Sequence, residues 1–361
     1  MRRRDFLSRS LVAGLAAGLP AGVTGGLTGG SALAQTAQAG AENPAAGNEA
    51  PGGGSFFRIL TGSAHTTAFP VGTLIAASIS NPPGSRPCAR GGSCGVPGLI
   101  AVALTSPGSV ANIAAVANGS IESGFAQADL IASAYNGEGV YFRRAKQPNL
   151  RVIANLYPET VHLVVRRGSG IADLRDLIGK RVSMDRAGSG TRFNAEIILA
   201  AYGVRLNQVR LLEVDPGEAA ELMASDELDA FFLISGQPAP TVADLTARRI
   251  ADLVPLAGKQ IDGALRRHRF FSRDVIPLGT YTDVGEIETV SIGMQWVVAD
   301  SLDEGLAYEI VRALWHPQNR RILDSGVATA QRIRLGTAVL GLSTPLHAGA
   351  ERFYREMKLI T

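Results

Sequence analysis

Residues 181–204, RVSMDRAGSGTRFNAEIILAAYGV, read as a short β-like run, a glycine-rich turn closed by Thr191, and a helix with apolar spacing. That order predicts a strand, a loop and a helix whose first N–H groups and positive dipole end converge where a small anion can sit. Gly188 and Gly190 let the backbone approach a ligand closely, and Ser189 and Thr191 offer hydroxyls. Arg192 heads the helix and can either form a bidentate salt bridge or point to solvent. A plain capped helix uses similar residues, so the loop alone is a receiving site without an obvious catalytic group.

Working outward, the same syntax recurs upstream. Residues 57–60 read as a strand, 61–67 as a polar loop and 70–79 as a helix; 99–104 is a second strand, and Ser106-Pro107-Gly108-Ser109 opens a helix stopped near Gly119. A strand over 124–126 delivers Gln127 at its C-terminal end. Strands alternating with helices predict α/β architecture with a mostly parallel sheet, covered on both faces and binding ligands at strand C-termini. By that rule His65, Thr66 and Thr67 in the first loop, Ser109 at the head of the second helix, and Gln127 belong to the cleft. Tyr135, Tyr157 and Tyr281 are candidate walls or hydroxyl donors. Asp215 caps a further helix with Pro216 in its first turn.

Two apolar runs, 151–155 and 162–165, flank Leu156-Tyr157-Pro158-Glu159-Thr160, where the chain is expected to cross between two lobes. A β-branched run over 288–298 should carry it back, and 302–315 reads as an amphipathic helix. The expected division is lobe I over 55–158 plus 290–361 and lobe II over 159–289, with the cleft between them.

The N-terminal residues fit an export signal. Arg3-Arg4-Asp5-Phe6-Leu7 matches the twin-arginine pattern, a weakly apolar run follows, and Ala32-Leu33-Ala34 supplies a small-x-small cleavage site, so residues 1–34 are read as a signal peptide. Residues 35–54, rich in Ala, Gly and Pro, read as a flexible linker. Of 35 basic and 32 acidic residues, Arg2, Arg3, Arg4 and Arg9 against Asp5 fall in the signal, so 31 of each remain and the mature net charge is zero. A neutral surface gives no argument for nucleic acid or membrane binding. Cys88 and Cys94, the only cysteines, sit in a Pro/Gly loop and most simply form a local disulfide in an oxidising compartment.

Catalytic patterns do not fit. Ala187 and Thr191 stand where a nucleophile elbow needs glycine, and Leu174 and Arg181 break a phosphate loop at Gly179-Lys180. The five histidines show no i, i+4 metal pair. The reading is therefore of no catalytic residue, metal or cofactor, with an exported two-lobed hydrolase or transferase as the alternative.

An ordered set of segments resembles the TAXI family, the extracytoplasmic solute receptors of TRAP transporters. The segments are TGSAHTTAFPVG (61–72), SPGSVANI (106–113), FAQADLIASAYNG (125–137), LVVRRGSGIADLRDLIGKRVSM (163–184), AGSGTRFNA (187–195), LDAFFLISGQPAP (228–240), IPLGTY (276–281) and PLHAGAERFYRE (345–356). The resemblance implies a monomeric periplasmic receptor with a two-lobed, type II periplasmic-binding-protein-like α/β fold. It also implies a small organic anion as ligand, a dicarboxylate or an acidic amino acid such as glutamate, and a TRAP membrane permease as partner. Carried over by position, Ser189, Gly190 and Thr191 match the ligand loop, and Gln127 and Tyr281 match polar positions around the cleft. This chain departs from the commoner first-loop pattern at Thr66, Thr67, Ala68 and Phe69, and adds the Cys88–Cys94 segment.

Overall fold

A computed structural model describes residues 49–50, 53–342 and 344–361 of the protein. The expected signal over 1–34 and most of the expected linker lie outside these residues. One linker segment lies inside them: Glu49–Ala50 pairs antiparallel with Gly54 and Ser55, so it is strand rather than tether.

The first part of the chain alternates as its patterning predicts. Strand β1 (Gly54–Leu60) is followed by helix α1 (Ala68–Ile79), β2 (Leu99–Leu104), α2 (Ser109–Ala117), β3 (Ser123–Gln127) and α3 (Ala128–Asn136). The three strands run parallel, with Phe57 opposite Ala101 and Ile59 opposite Ser123. Helix α1 begins two residues earlier than expected and buries Val71, Ile75 and Ile79, one face at helical spacing. From α2, the buried Asn112 amide donates to the carbonyls of Thr61 (3.0 Å) and Phe125 (2.8 Å), tying together the C-terminal ends of β1 and β3. Those ends carry the candidate site. The Cys88–Cys94 disulfide is formed, and it closes the excursion between α1 and β2.

Strand β4 (Leu150–Arg166) is continuous over 17 residues, so the expected crossing segment lies within one strand. Beyond it come β5 (Arg181–Ser183), α4 (Gly190–Ala201), β6 (Arg210–Leu212), α5 (Pro216–Ala224), β7 (Ala230–Ser235), α6 (Pro240–Ala247), β8 (Ala251–Val254), α7 (Lys259–Arg267) and β9 (Phe271–Ile276). The return strand β10 (Ile287–Ala299) leads to α8 (Glu304–Leu314), two short helices and α9 (Ala348–Glu356). All the strands named so far, with Glu49–Ala50, belong to one sheet, and that sheet is mixed rather than mostly parallel. The reason is the double crossing. β4 leaves the first lobe and β10 re-enters it, so the two pair antiparallel, from Ser291 opposite Thr160 to Ala299 opposite Leu150. β7 and β8 also run antiparallel to β4.

The apolar residues sort into cores that change identity along these two strands. On β4 the first core ends at Tyr157 and the second begins at Val161; on β10 the change falls between Ile292 and Met294. In the first core Trp296 is fully buried, with Phe57 and Phe125 edge-on at 6.3 and 6.2 Å between ring centroids. Residues 348–356 return to this lobe, where the Tyr354 hydroxyl donates to the Ile153 carbonyl at 2.8 Å. Between the cores Pro158 faces Gly293. Proline has no N–H for the ladder and glycine no side chain to pack, so this pair adds little to the ladder where the lobes meet, and the register then shifts between Met294 and Gln295 and again between Trp296 and Val297.

In the second lobe the buried His162 ring has Nδ1 beside the carbonyls of Thr160 (2.9 Å) and Leu233 (3.3 Å), and Nε2 2.8 Å from the Tyr281 hydroxyl. Two carbonyls at Nδ1 require the proton there, so Tyr281 donates to Nε2 and accepts from Ala239 N–H at 2.8 Å. Burial pushes the imidazole down to about 4, keeping it neutral. Tyr281→Phe leaves the Ala239 N–H and Nε2 unpaired and is expected to lower unfolding free energy by about 1–3 kcal/mol in urea titration. A change under about 0.5 kcal/mol would show that the hydroxyl is not the keystone of this contact.

Candidate functional site

The loop before α4 is built by local chemistry. Strand β5 ends at Ser183, and Gly188 sits at φ 92°, a left-handed position that suits glycine. Ser189 is the N-cap: its hydroxyl accepts the Arg192 N–H at 3.1 Å. The next N–H groups, of Gly190 and Thr191, have no acceptor among the described residues and stand at the positive end of the helix. Thr191 also holds the sheet, its hydroxyl accepting from Ile234 N–H at 3.4 Å.

The other lobe closes directly onto this loop. The Gly188 carbonyl accepts from Val110 and Ala111 N–H, in the first turn of α2, at 3.1 and 3.4 Å. Gln127 is the hub between lobes. Its backbone N–H reaches the Ser109 hydroxyl (3.2 Å), its side-chain Nε2 donates to Glu159 Oε2 (3.0 Å), and its Oε1 accepts from the Asn194 amide (3.0 Å). At Gly190 an added Cβ would lie 2.0 Å from Gln127 Oε1, so only glycine permits this approach. A second latch lies nearby. Thr67 N–H donates to Ser235 Oγ (3.0 Å), and Gly236 N–H donates to Thr67 Oγ1 (2.8 Å).

Between these walls lies a cavity of about 40 Å³, lined by Thr66, Ser109, Gln127, Glu159, Asp185, Ser189, Gly190 and Thr191 together with Ile234 and Met294. A larger hollow of about 680 Å³ lies at the lobe margin beside His65, Gly217 and Thr241, but residues 188–191 do not line it.

The charges of the site run against a simple anion cradle. No arginine, lysine or histidine lines the cavity among the described residues, whereas Glu159 and Asp185 do. Burial pushes the Glu159 carboxyl up to about 8; the Gln127 hydrogen bond opposes this and the nearby Asp129 charge adds to it. Asp185 is raised to about 6 by burial, against hydrogen bonds from Arg186 N–H and Ser189. Asp129, in the first turn of α3, is also raised to about 6 by burial, opposed by the Asn194 amide and by the N–H groups of Leu130 and Asp129, which face its carboxyl outside strict hydrogen-bond geometry.

Of the residues expected at the site, Thr66, Ser109, Gln127, Ser189, Gly190 and Thr191 are brought together. Thr67 contributes to the latch beside the cavity instead. His65 is exposed at the margin, with Nδ1 3.9 Å from Asp215. Arg192 resolves toward structure: its guanidinium pairs with Glu196 at 2.6 Å and Glu213 at 2.9 Å, and does not line the cavity. Tyr281 lies in the second lobe's core with both hydrogen bonds used, so it is not a cleft residue. Glu159 and Asp185, which line the cavity, are not among the residues expected there, and Asp129 lies outside the lining. Glu159 carried a signal, as the only acidic residue within the apolar run of β4.

The fold and site therefore define a two-lobed α/β protein with a small, partly open interlobe cavity of mixed polar and apolar lining. From residue 59 to residue 357 the sequence matches the NMT1-like family, and the chain belongs to it. Among solved structures it is similar to the alkanesulfonate-binding protein SsuA from Xanthomonas axonopodis pv. citri bound to MOPS (18% identity, 83% of each chain, TM-score 0.41). PhnD1 from Prochlorococcus marinus in complex with methylphosphonate matches at 13% identity over 84% of this chain and 99% of that one, with TM-score 0.46. A TctC solute binding protein from Polaromonas matches at 14% identity over 74% and 87%, with TM-score 0.40. Likenesses this loose transfer neither ligand nor role.

A carboxyl raised in the fold binds its proton there after the unfolded chain has lost it. In the ligand-free protein, Glu159 should therefore contribute stability below about pH 4.5 that is lost as pH rises toward about 8. Unfolding free energies of wild type and Glu159→Gln across pH 4.5–8.5 are expected to shift by a few kcal/mol in favour of the variant as pH rises. Parallel curves would mean that Glu159 ionises normally in the fold.

Proposed function

We propose that the chain is an exported, non-enzymatic receptor that captures a small organic acid between its lobes and delivers it to a TRAP-type membrane permease, in the manner of the TAXI receptors it resembles. The observation that carries this reading is the pair of N–H groups at Gly190 and Thr191, without an acceptor among the described residues, opening at a helix N-terminus into a small, partly open cavity between lobes. Such a terminus holds a carboxylate without a formal cation. The cavity of about 40 Å³ is well below the ~300–1,000 Å³ of ordinary ligand pockets, so capture requires the lobes to part and close again. The weak ladder at Pro158 and Gly293 is the natural place for that motion.

The hydrolase alternative finds little support. Ser189 Oγ is held as a helix cap by the Arg192 N–H, and no histidine lines the cavity among the described residues. Among them no helix is long and apolar enough to cross a membrane. Export through the twin-arginine signal and action in the periplasm belong to the same proposal.

Thermal unfolding of ligand-stripped protein with a panel of carboxylic, 2-oxo and amino acids is expected to show a higher midpoint for at least one class. Gly190→Ala, whose Cβ obstructs closure, should weaken that ligand at least about tenfold while leaving the ligand-free midpoint within a few degrees. A panel without any shift at saturating concentration would end the receptor reading.

A further inference from the structure

On β10, Met294 lines the interlobe cavity, whereas Ser291, Gly293 and Gln295 line a separate hollow of about 540 Å³. Successive side chains of a strand point to opposite faces, so the hollow lies behind the ribbon, on the face away from the cleft. Pro158 and Glu159 on β4 divide between the two spaces in the same way. Both lobes wall the hollow: Arg269 and Phe270 stand just before Phe271 of the second core, and Arg332 just before Ile333 of the first. Its polarity is the reverse of the cavity's. Two arginines and no acid line it, and neither guanidinium has an ion pair or hydrogen bond among the described residues. The arginines are exposed and form a rim, while the floor is made of amides. Gln295, only 1% exposed, donates from Nε2 to the Gly341 carbonyl at 3.1 Å, and its Oε1 has no hydrogen bond. Asn155 donates to the Thr337 carbonyl at 3.2 Å and leaves Oδ1 without a donor among the described residues. A buried acceptor without a donor is costly, so the floor favours a ligand that brings a hydroxyl or an N–H.

We propose that this hollow is a second ligand site, taking a small phosphate ester with free hydroxyl groups, and that its occupancy holds the lobes shut. The phosphate meets Arg269 and Arg332, because its several oxygens can serve two guanidinium forks at once where a single carboxylate serves one. Hydroxyls further in meet Gln295 Oε1 and Asn155 Oδ1, and the carbon chain lies against Phe270. The hollow's volume falls within the ~300–1,000 Å³ of small-molecule pockets. Coupling to closure follows from position. The described form is shut on the cleft face, where Gln127 bonds Asn194 and Thr67 bonds Gly236. Bending that parts two lobes on one face of a ribbon brings them together on the other, so opening the cleft narrows the hollow and shifts Arg269 against Arg332. A ligand that needs both arginines fits the shut form best and by linkage favours it. The link to closure rests on the receptor reading; the site itself does not.

The test is calorimetry on the full mature protein in low-salt buffer, at about pH 8 where a phosphate monoester is a dianion. The probes are glycerol 3-phosphate, inorganic phosphate and glycerol. Glycerol 3-phosphate is expected to bind about tenfold or more tightly than inorganic phosphate, with no binding by glycerol. Arg269→Gln and Arg332→Gln, at exposed positions, should each weaken the ester about tenfold while leaving the thermal midpoint within a few degrees. Gly190→Ala, on the other side of the ribbon, should weaken it severalfold by obstructing closure, and small-angle scattering of wild type should show a smaller radius of gyration with the ester than without. No binding by the ester, equal binding of ester and inorganic phosphate, or binding that survives both arginine changes overturns the site. Binding that the arginines control, with Gly190→Ala silent and the radius of gyration unchanged, overturns the coupling. The panel of carboxylic acids reads the interlobe cavity alone, so this proposal and the receptor reading fail separately.

Discussion

The structure depends on the antiparallel pairing of two long strands that each belong to both lobes. Leu150–Arg166 carries the chain out and Ile287–Ala299 carries it back, and every other layer is arranged around that ribbon. One continuous backbone ladder would make a rigid plate. Pro158 opposite Gly293 weakens that plate near the boundary of the lobes, since one residue cannot donate to the ladder and the other cannot pack, and register shifts follow between Met294 and Gln295 and between Trp296 and Val297. The two largest apolar cores respect the same boundary, each filled by residues from only one side of it, while Phe193 of α4 reaches across to pack on a smaller core of the first lobe. Rigid bodies joined at a compliant point are what hinge closure requires.

Position on the ribbon also explains the site's electrostatics. Glu159 follows the proline directly, so it sits at the bending point, beneath the closing lobes, and is desolvated by their approach. Its neighbours are amides and hydroxyls, which orient a carboxyl but do not neutralise it. The helix start at Gly190 supplies the opposite polarity a short distance away. Both polarities thus arise from backbone placement and two acids, Glu159 and Asp185, with no basic side chain lining the cavity among the described residues.

Much of this was legible in the sequence. The loop at 188–191, the Ser109 and Asp215 helix starts and Gln127 at a strand end are local signals, and local chemistry decides them. The crossing region was legible too, but as a break between strands; a proline inside an apolar run argues for an interruption, and only long-range pairing with β10 keeps the strand going. Sheet direction was misread for a similar reason, because alternation of strands and helices is silent about a strand shared by two lobes. Arg192 and Tyr281 were ambiguous by nature. Each has partners, Glu213 for one and His162 for the other, that are distant in sequence, and these draw the side chains away from the cleft. Asp129 and Asp185 gave no pattern at all, since an acid near a helix start usually serves as an ordinary cap.

The latch formed by Thr67 with Ser235 and Gly236 is made of one short hydroxyl and one backbone N–H from each side. Long side chains stretch and swing, so their contacts survive partial separation of two surfaces; short hydroxyls do not. Because a hydrogen bond weakens steeply outside a narrow range of distance and angle, these contacts are made only in the last fraction of travel and are lost together at its start. The hydroxyl latch is therefore an all-or-none contact, whereas the longer Gln127 side chain, which bonds Asn194 across the same boundary, has the reach to follow a small separation.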